Sequence, residues 1–300
     1  MVELSDIVHG LEPELGTAEG HPQALEGGIT NRNYRVRMGG QEYVLRLHGK
    51  DTQLLGISRE SEERASAAAA ELGIAPALAA TFDGGMVSTY VPCEGLSERQ
   101  VADRAEEIAS ALRRFHSSPV ELPSAFRVPE LLEHYARTLS ERGAQPPAAL
   151  EDARRLARTI ASALPPCEPR PCHNDLLPGN VIREAASGRV MIVDWEYAGM
   201  GDPWFDLGNL AVNNAFEETD EERLLRAYRG AEPSRAQRAR LKLMRLMSDV
   251  REAAWGVVQA RLSDIEFDFE GYGERHFDRL RRASEGGALE SWLSAAAEGA

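Results

Sequence analysis

Residues Cys172–Trp195 read CHNDLLPGNVIREAASGRVMIVDW, and this stretch decides how the chain is understood. Asp175 follows His173 by two residues, Asn180 stands five further on, and Asp194 closes the apolar run Val190-Met191-Ile192-Val193. Pro178-Gly179 is a turn signal, Val181-Ile182 opens a strand, and Ser187-Gly188 reverses the chain into a second strand that delivers Asp194. The spacing predicts a small hairpin with Asn180 on one leg and Asp194 on the other.

Such a set suits phosphoryl transfer, where catalysis is mostly positioning and charge neutralisation. Asp175 would take the proton, or at least a hydrogen bond, from an attacking hydroxyl. Asn180 and Asp194 would offer the hard oxygens that magnesium prefers. His173 is read as a brace for the loop. The competing reading, two unrelated aspartates capping or solvating loop ends, explains each residue singly but not the whole arrangement.

Upstream, Tyr34, Val36 and Met38 alternate with Asn33, Arg35 and Arg37, Gly39-Gly40 is a two-residue hairpin turn, and Tyr43, Leu45 and Leu47 share a face opposite Val44 and Arg46. Arg46 therefore points away from the most apolar face, where its planar fork could meet phosphate oxygens. A surface arginine on a half-buried sheet is the alternative. An Ala- and Glu-rich helix over about 59–72, stopped by Gly73, offers Glu62 as its partner, with Glu60 and Glu63 as rivals. The segment EGGITNRN before the hairpin supplies backbone N–H groups and the side chains of Thr30 and Asn31 to a phosphate, a weak signal that a plain turn also satisfies. A strand over 86–91 broken by Pro92 places backbone groups of Tyr90 and Val91 beside an adenine edge. Ser97-Glu98-Arg99-Gln100 reads as a capping box opening a helix to about His116, Pro129 suits a helix first turn, and the chain is helical from about Pro203. The expected fold is α+β, with a small antiparallel-sheet lobe (1–91) that binds nucleotide and a larger helical lobe (92–300) that carries catalysis and acceptor binding.

The bounds agree. Three hundred residues with 43% hydrophobic content support a sizeable core, and no apolar run reaches membrane-spanning length. The N-terminus has neither a basic nor an apolar signal region, so no signal peptide is expected. Three cysteines, Cys93, Cys167 and Cys172, form neither a disulfide framework nor a zinc pattern, which fits a reducing cytoplasm. Cys172 as a thiol nucleophile is disfavoured because its neighbours account for the motif without it. A net charge of −14 argues against nucleic acid as a partner and is compatible with a cationic substrate, although acidity for solubility explains it equally. A homodimer is left open.

With these parts in order, the chain resembles the choline/ethanolamine kinase family, within the wider aminoglycoside-phosphotransferase-like group of protein-kinase-like fold. The landmarks are GGITNRNY (27–34), YVLRLHG (43–49), HNDLLPGN (173–180), VDWEYAGMGDPWFDLGN (193–209) and WGVVQARLSDIEFDFEGYGERHFD (255–278). The resemblance implies an ATP- and Mg-dependent kinase acting on the hydroxyl of a cationic amino alcohol, choline first. Ethanolamine, an aminoglycoside, or binding without transfer as in a pseudokinase are the alternatives. It further implies that Trp255, Phe269 and Tyr272 form part of an aromatic cage, with Glu252 and Glu196 beside it. The family's choline kinases carry another cage Trp where Glu252 stands, and Phe269 replaces a Tyr. Cation–π contacts suit a quaternary ammonium, which has no N–H to donate. Trp255, Val258 and Leu262 also fall at helical spacing, so a plain core stripe is the competing reading. Asp206 is expected to brace the catalytic loop, and His116 to be core or capping.

Overall fold

The structure is a computed structural model and describes residues 3–25, 31–50, 52–263 and 265–298. Five strands, β1 (Ala18–Leu25), β2 (Arg32–Met38), β3 (Gln41–Leu47), β4 (Leu78–Phe82) and β5 (Gly85–Thr89), form an antiparallel sheet in the order β1-β2-β3-β5-β4. The β2–β3 hairpin has the predicted turn: Gly39 and Gly40 both adopt positive φ, 55° and 78°. Its alternation holds, with Val36, Met38, Tyr43 and Leu45 buried on one face, where they meet Ala80, Val87 and the short helix α1 (Leu4–Gly10) in a small apolar cluster. Strands β1 and β4 carry weaker alternation, which does not predict them; β1 exposes most of its residues as an edge, and β4 is short. β5 stops at Thr89, short of the expected Val91; the Tyr90 N–H still bonds the Glu42 carbonyl at 2.9 Å, a last rung in register with β3, before Pro92, which has no N–H to give.

After α2 (Glu12–Leu15) comes α3 (Arg59–Glu71), capped by the Ser58 side chain and ended at Gly73 with φ 67°. Its Ala65 and Ala69 join the large apolar cluster of the helical part, so the helix stands between the sheet and everything that follows. The capping box at Ser97 forms, but the helix it opens, α4 (Glu98–Ala102), stops at Asp103, and α5 (Ala105–His116) starts afresh. Then come α6 (Val128–Glu141), α7 (Ala148–Ala163), α8 (Pro203–Asn213), α9 (Glu218–Arg229), α10 (Arg235–Leu262), α11 (Phe269–Ser284) and α12 (Ala288–Ala297). Between α7 and α8 lie the short strands β7 (Arg170–Cys172), β8 (Val181–Glu184), β9 (Val190–Ile192) and β10 (Gly199–Gly201). β8 and β9 are the legs of the predicted hairpin, and β6 (Cys93–Gly95), just past Pro92, pairs with β8.

Two close approaches position the site. A Cβ at Gly85 would collide with the Arg46 carbonyl and the Phe82 ring, so β5 lies hard against the residue that reaches into the cleft. A Cβ at Gly256 would lie 2.9 Å from Gly273, so these glycines let α10 and α11 touch backbone to backbone and bring their neighbours Trp255 and Tyr272 together. No helix among the described residues is long and apolar enough to cross a membrane.

Candidate active site

The loop that carries His173, Asn174 and Asp175 is held by one buried carboxylate. Asp206, in the first turn of α8, accepts the backbone N–H of His173 (2.8 Å) and of Asn174 (2.7 Å), and His116 Nε2 lies 2.9 Å from it. Burial alone would push Asp206 up, but the His116 hydrogen bond and charge, with His173 beside it, outweigh that and hold it below the usual carboxylate range. His173 braces the loop as expected: its Nδ1 accepts the Asp175 N–H at 3.1 Å, which fixes Nε2 as the donor to the Val193 carbonyl at 3.0 Å. Burial lowers its pKa, so the ring stays neutral. Trp195 packs between Phe115 (4.5 Å, tilted) and His173 (4.6 Å, edge-on), which ties the loop to the core. Asn174 and Asp194 take left-handed backbone conformations, φ 68° and 66°, which Asn and Asp tolerate better than most residues.

Both oxygens of Asp175 are engaged. Asn180 Nδ2 donates to Oδ2 at 3.1 Å and to the Asp175 carbonyl at 2.7 Å, while Arg251 Nη1 donates to Oδ1 at 3.0 Å. Burial raises the Asp175 pKa; Arg251 opposes the rise, and Glu252 and Asp194 add to it. Asn180 and Asp194 lie side by side, the Val193 N–H bonding the Asn180 carbonyl at 2.9 Å. The donor set fits magnesium: with its amide nitrogen turned to Asp175, Asn180 presents an oxygen, and Asp194 adds a carboxylate.

Arg46 Nη1 bonds Glu62 at 3.1 Å and also Asp194, a second link that sequence alone does not suggest. Of the three candidate glutamates, Glu62 is the partner; Glu60 pairs with Arg64, and Glu63 receives the Thr81 hydroxyl. Burial acts to lower the Arg46 pKa, but Asp194 and Glu62 more than reverse this and keep it charged. Asn31 bridges the same network, donating to Glu196 at 2.8 Å and accepting from Arg59 at 3.2 Å. Burial, then Asp194, raises the Glu196 pKa. Thr30 and the glycines before it lie outside the described residues. Arg46, Tyr90, Val91 and Asp194 all line one cleft of about 370 Å³, whose apolar walls include Val44, Ala75, Leu78 and Met86. Arg35 lies over the Tyr90 ring at 4.2 Å.

On the other side of Asp175, the acceptor candidates also come together. Trp255 meets Phe269 at 5.5 Å and Tyr272 at 5.4 Å, both nearly edge-on. The Tyr272 hydroxyl donates to Glu252 at 2.7 Å, and Trp255 Nε1 donates to the Tyr197 hydroxyl at 2.9 Å. Phe267, 40% exposed, flanks Phe269 at 4.9 Å. Burial would raise Glu252, but Arg251 outweighs it and lowers the pKa. Sequence reasoning misses Arg59, Arg251 and Phe267. A signal for Arg251 exists: it is a lone cation in the otherwise apolar and acidic stretch MSDVREAAWGVV.

Residues 21–243 match the family described as Phosphotransferase enzyme family, which covers most of the chain. The chain belongs to that family. Within it, a choline/ethanolamine kinase family protein from Mesorhizobium loti has a solved structure 31% identical in sequence, with TM-score 0.78 over 93% of both chains. This phosphotransferase is therefore a small-molecule kinase of the choline/ethanolamine kinase type. A probable ethanolamine kinase A of Dictyostelium discoideum is 25% identical over 92% of this chain and 90% of its own length. The choline kinase LicA of Streptococcus pneumoniae, 24% identical with TM-score 0.78 over 96% of this chain and 98% of that one, shares the two-lobe, protein-kinase-like fold; LicA has also been solved with AMP.

Proposed function

We propose that this protein transfers the γ-phosphoryl group of ATP to the hydroxyl of a cationic amino alcohol, choline first. One observation carries the reading: Asp175 stands between a phosphate end, with Asn180, Asp194 and Arg46, and an aromatic, acidic end made by Trp255, Phe269, Tyr272 and Glu252. In this reading Asp175 orients the hydroxyl and takes its proton, and Arg46, held by Glu62, faces the phosphates. Asn180 and Asp194 hold magnesium, which when bound neutralises phosphate charge. The adenine lies in the apolar cleft. There the Tyr90 N–H is already bonded to Glu42, so Tyr90 would offer its carbonyl and Val91 its N–H. Asn31 and, by its place in the sequence, Thr30 belong to the phosphate side; Glu196 stands between the two ends. The aromatic end takes the ammonium, with Phe267 at its rim.

The lobe division at residues 91 and 92 is part of the proposal. The separate apolar cluster of the sheet supports it, as does the crossing of the chain into β6 beside the catalytic hairpin. Ethanolamine is the second reading. It is favoured by Glu252 standing where the family resemblance implies a cage Trp, which leaves the aromatic end one ring fewer for a quaternary ammonium.

The test is acceptor-dependent ADP release with ATP and magnesium, using choline, ethanolamine and a small aminoglycoside panel, with Asp194→Ala alongside. Release with choline, lost in the variant, is the expected result. Release with ethanolamine alone selects the second reading. Release only with aminoglycosides overturns the amino-alcohol assignment, and nucleotide binding without release for any acceptor points to a non-catalytic role.

A further inference from the structure

Arg251 is among the largest fully buried side chains of the molecule, and it lies on the acceptor side of Asp175. A single nitrogen, Nη1, serves two carboxylates, Asp175 at 3.0 Å and Glu252 at 2.7 Å. The guanidinium lies over the Tyr197 ring, 4.1 Å from its centroid. Nε and Nη2 are buried and find no hydrogen-bond partner among the described residues. Glu252 in turn accepts the Tyr272 hydroxyl, so an unbroken chain of polar contacts runs from Tyr272 through Glu252 and Arg251 to Asp175.

A substrate ammonium in this region would look for a free aromatic face and a carboxylate. Here the Tyr197 face and one Glu252 oxygen are already taken by a cation that belongs to the protein. We propose that Arg251 is a resident cation of the acceptor end: it positions the Asp175 carboxylate for the reacting hydroxyl and withholds the Tyr197 face and one Glu252 oxygen from the acceptor. This rests on the amino-alcohol reading and adds a specificity-determining residue to it. The two roles predict opposite effects on turnover and on acceptor binding. Without the guanidinium, the Asp175 carboxylate loses the bond that fixes Oδ1, so turnover falls. At the same time one ring face and one carboxylate become available to the ammonium, so acceptor binding tightens. A residue that merely filled space would worsen both together.

The experiment is steady-state kinetics of full-length Arg251→Met, Arg251→Lys and Arg251→Ala beside the unaltered protein, with melting temperature and nucleotide affinity measured on each. Turnover by the unaltered protein reports on the amino-alcohol reading, and the variant-to-parent ratios report on Arg251. Arg251→Met is expected to lose about 10²-fold in kcat, the cost of a misplaced reacting group. Its acceptor KM should fall by about 3- to 10-fold, as one cation–π contact predicts, and its KM for ATP should be unchanged. Arg251→Lys keeps one charged nitrogen for both carboxylates and should recover most of the turnover. Guanidinium ion added to Arg251→Ala should restore part of it. Turnover of Arg251→Met within about 3-fold of the parent, well short of what a lost orienting contact costs, would overturn the positioning role. An acceptor KM that stays level or rises would overturn the resident-cation role. A loss shared by Met and Lys, indifferent to guanidinium and accompanied by a lower melting temperature, would assign Arg251 to core stability and overturn both.

Discussion

The proposed phosphate end and the proposed acceptor end flank the same aspartate, yet different forces hold them. At the phosphate end, the loop carrying Asp175 is fixed mainly through its backbone: two N–H groups on Asp206, the Asp175 N–H on His173, and the Val193 N–H on Asn180. At the acceptor end, Arg251, Glu252, Trp255 and Tyr272 hold one another side chain to side chain, on two helices whose backbones come into contact at Gly256 and Gly273. Holding a loop by its backbone N–H groups fixes its path and depends on the few side chains that accept them, here Asp206 and His173. Side-chain anchoring lets single substitutions alter which molecule is accepted. The contrast suits a family in which transfer chemistry is shared and acceptors differ.

Three substitutions probe that contrast. The largest effect is expected at the shared aspartate: Asp175→Asn should lower turnover by about 10²–10⁴-fold while nucleotide affinity stays nearly unchanged. Near-normal turnover would remove Asp175 from the chemistry. Next, Gly256→Ala should act on the acceptor end alone. Its Cβ has no room against Gly273, so it should destabilise the protein by about 1–3 kcal/mol and raise acceptor KM, with ATP KM unaltered. If ATP KM rose in step, the two ends would not be mechanically separate. The smallest effect concerns acid stability. Asp206 has a depressed pKa in the folded protein, so its contribution is present above the ordinary carboxylate value and is lost as pH falls through the folded value. Melting temperature of the parent should therefore drop below about pH 4 more steeply than that of Asp206→Asn. At neutral pH the variant should be less stable by about 1 kcal/mol, having lost an acceptor for buried N–H groups. Parallel acid limbs would show that Asp206 does not carry the loop as an anion.

The same contrast explains which features are legible in the order of amino acids. The β8–β9 hairpin is legible because Asn180 and Asp194 lie within a few residues of turn and strand signals, so local geometry already places them side by side. The β2–β3 hairpin is legible for the same reason, down to Arg46 facing away from the apolar side. Sequence leaves Glu60, Glu62 and Glu63 as near rivals with Glu62 the first choice, and it is Glu62 that pairs with Arg46. Strands β1 and β4 are hidden because one is an exposed edge and the other is short, and neither shows a sustained period of two. The break at Asp103 is hidden because nothing nearby forbids a helix; α5 starts anew to pack its own apolar face against α9. The aromatic cluster is found through family resemblance rather than periodicity, since Trp255, Val258 and Leu262 read equally well as a core stripe.

Local sequence is enough to specify the proposed transfer end: Asp175, the oxygens of Asn180 and Asp194, the hairpin that presents them and Arg46 on the facing sheet. These depend on backbone periodicity and turn residues, which act over a few positions. Long-range packing is what joins Arg46 to Asp194 as well as Glu62, brings Asp206 and His116 under the loop from α8 and α5, and stands a buried Arg251 between Asp175 and Glu252. Apart from the adjacent Arg251–Glu252 pair, those contacts link residues far apart in the chain. Burial makes them strong, because charges removed from water must find partners wherever the packing of helices brings them.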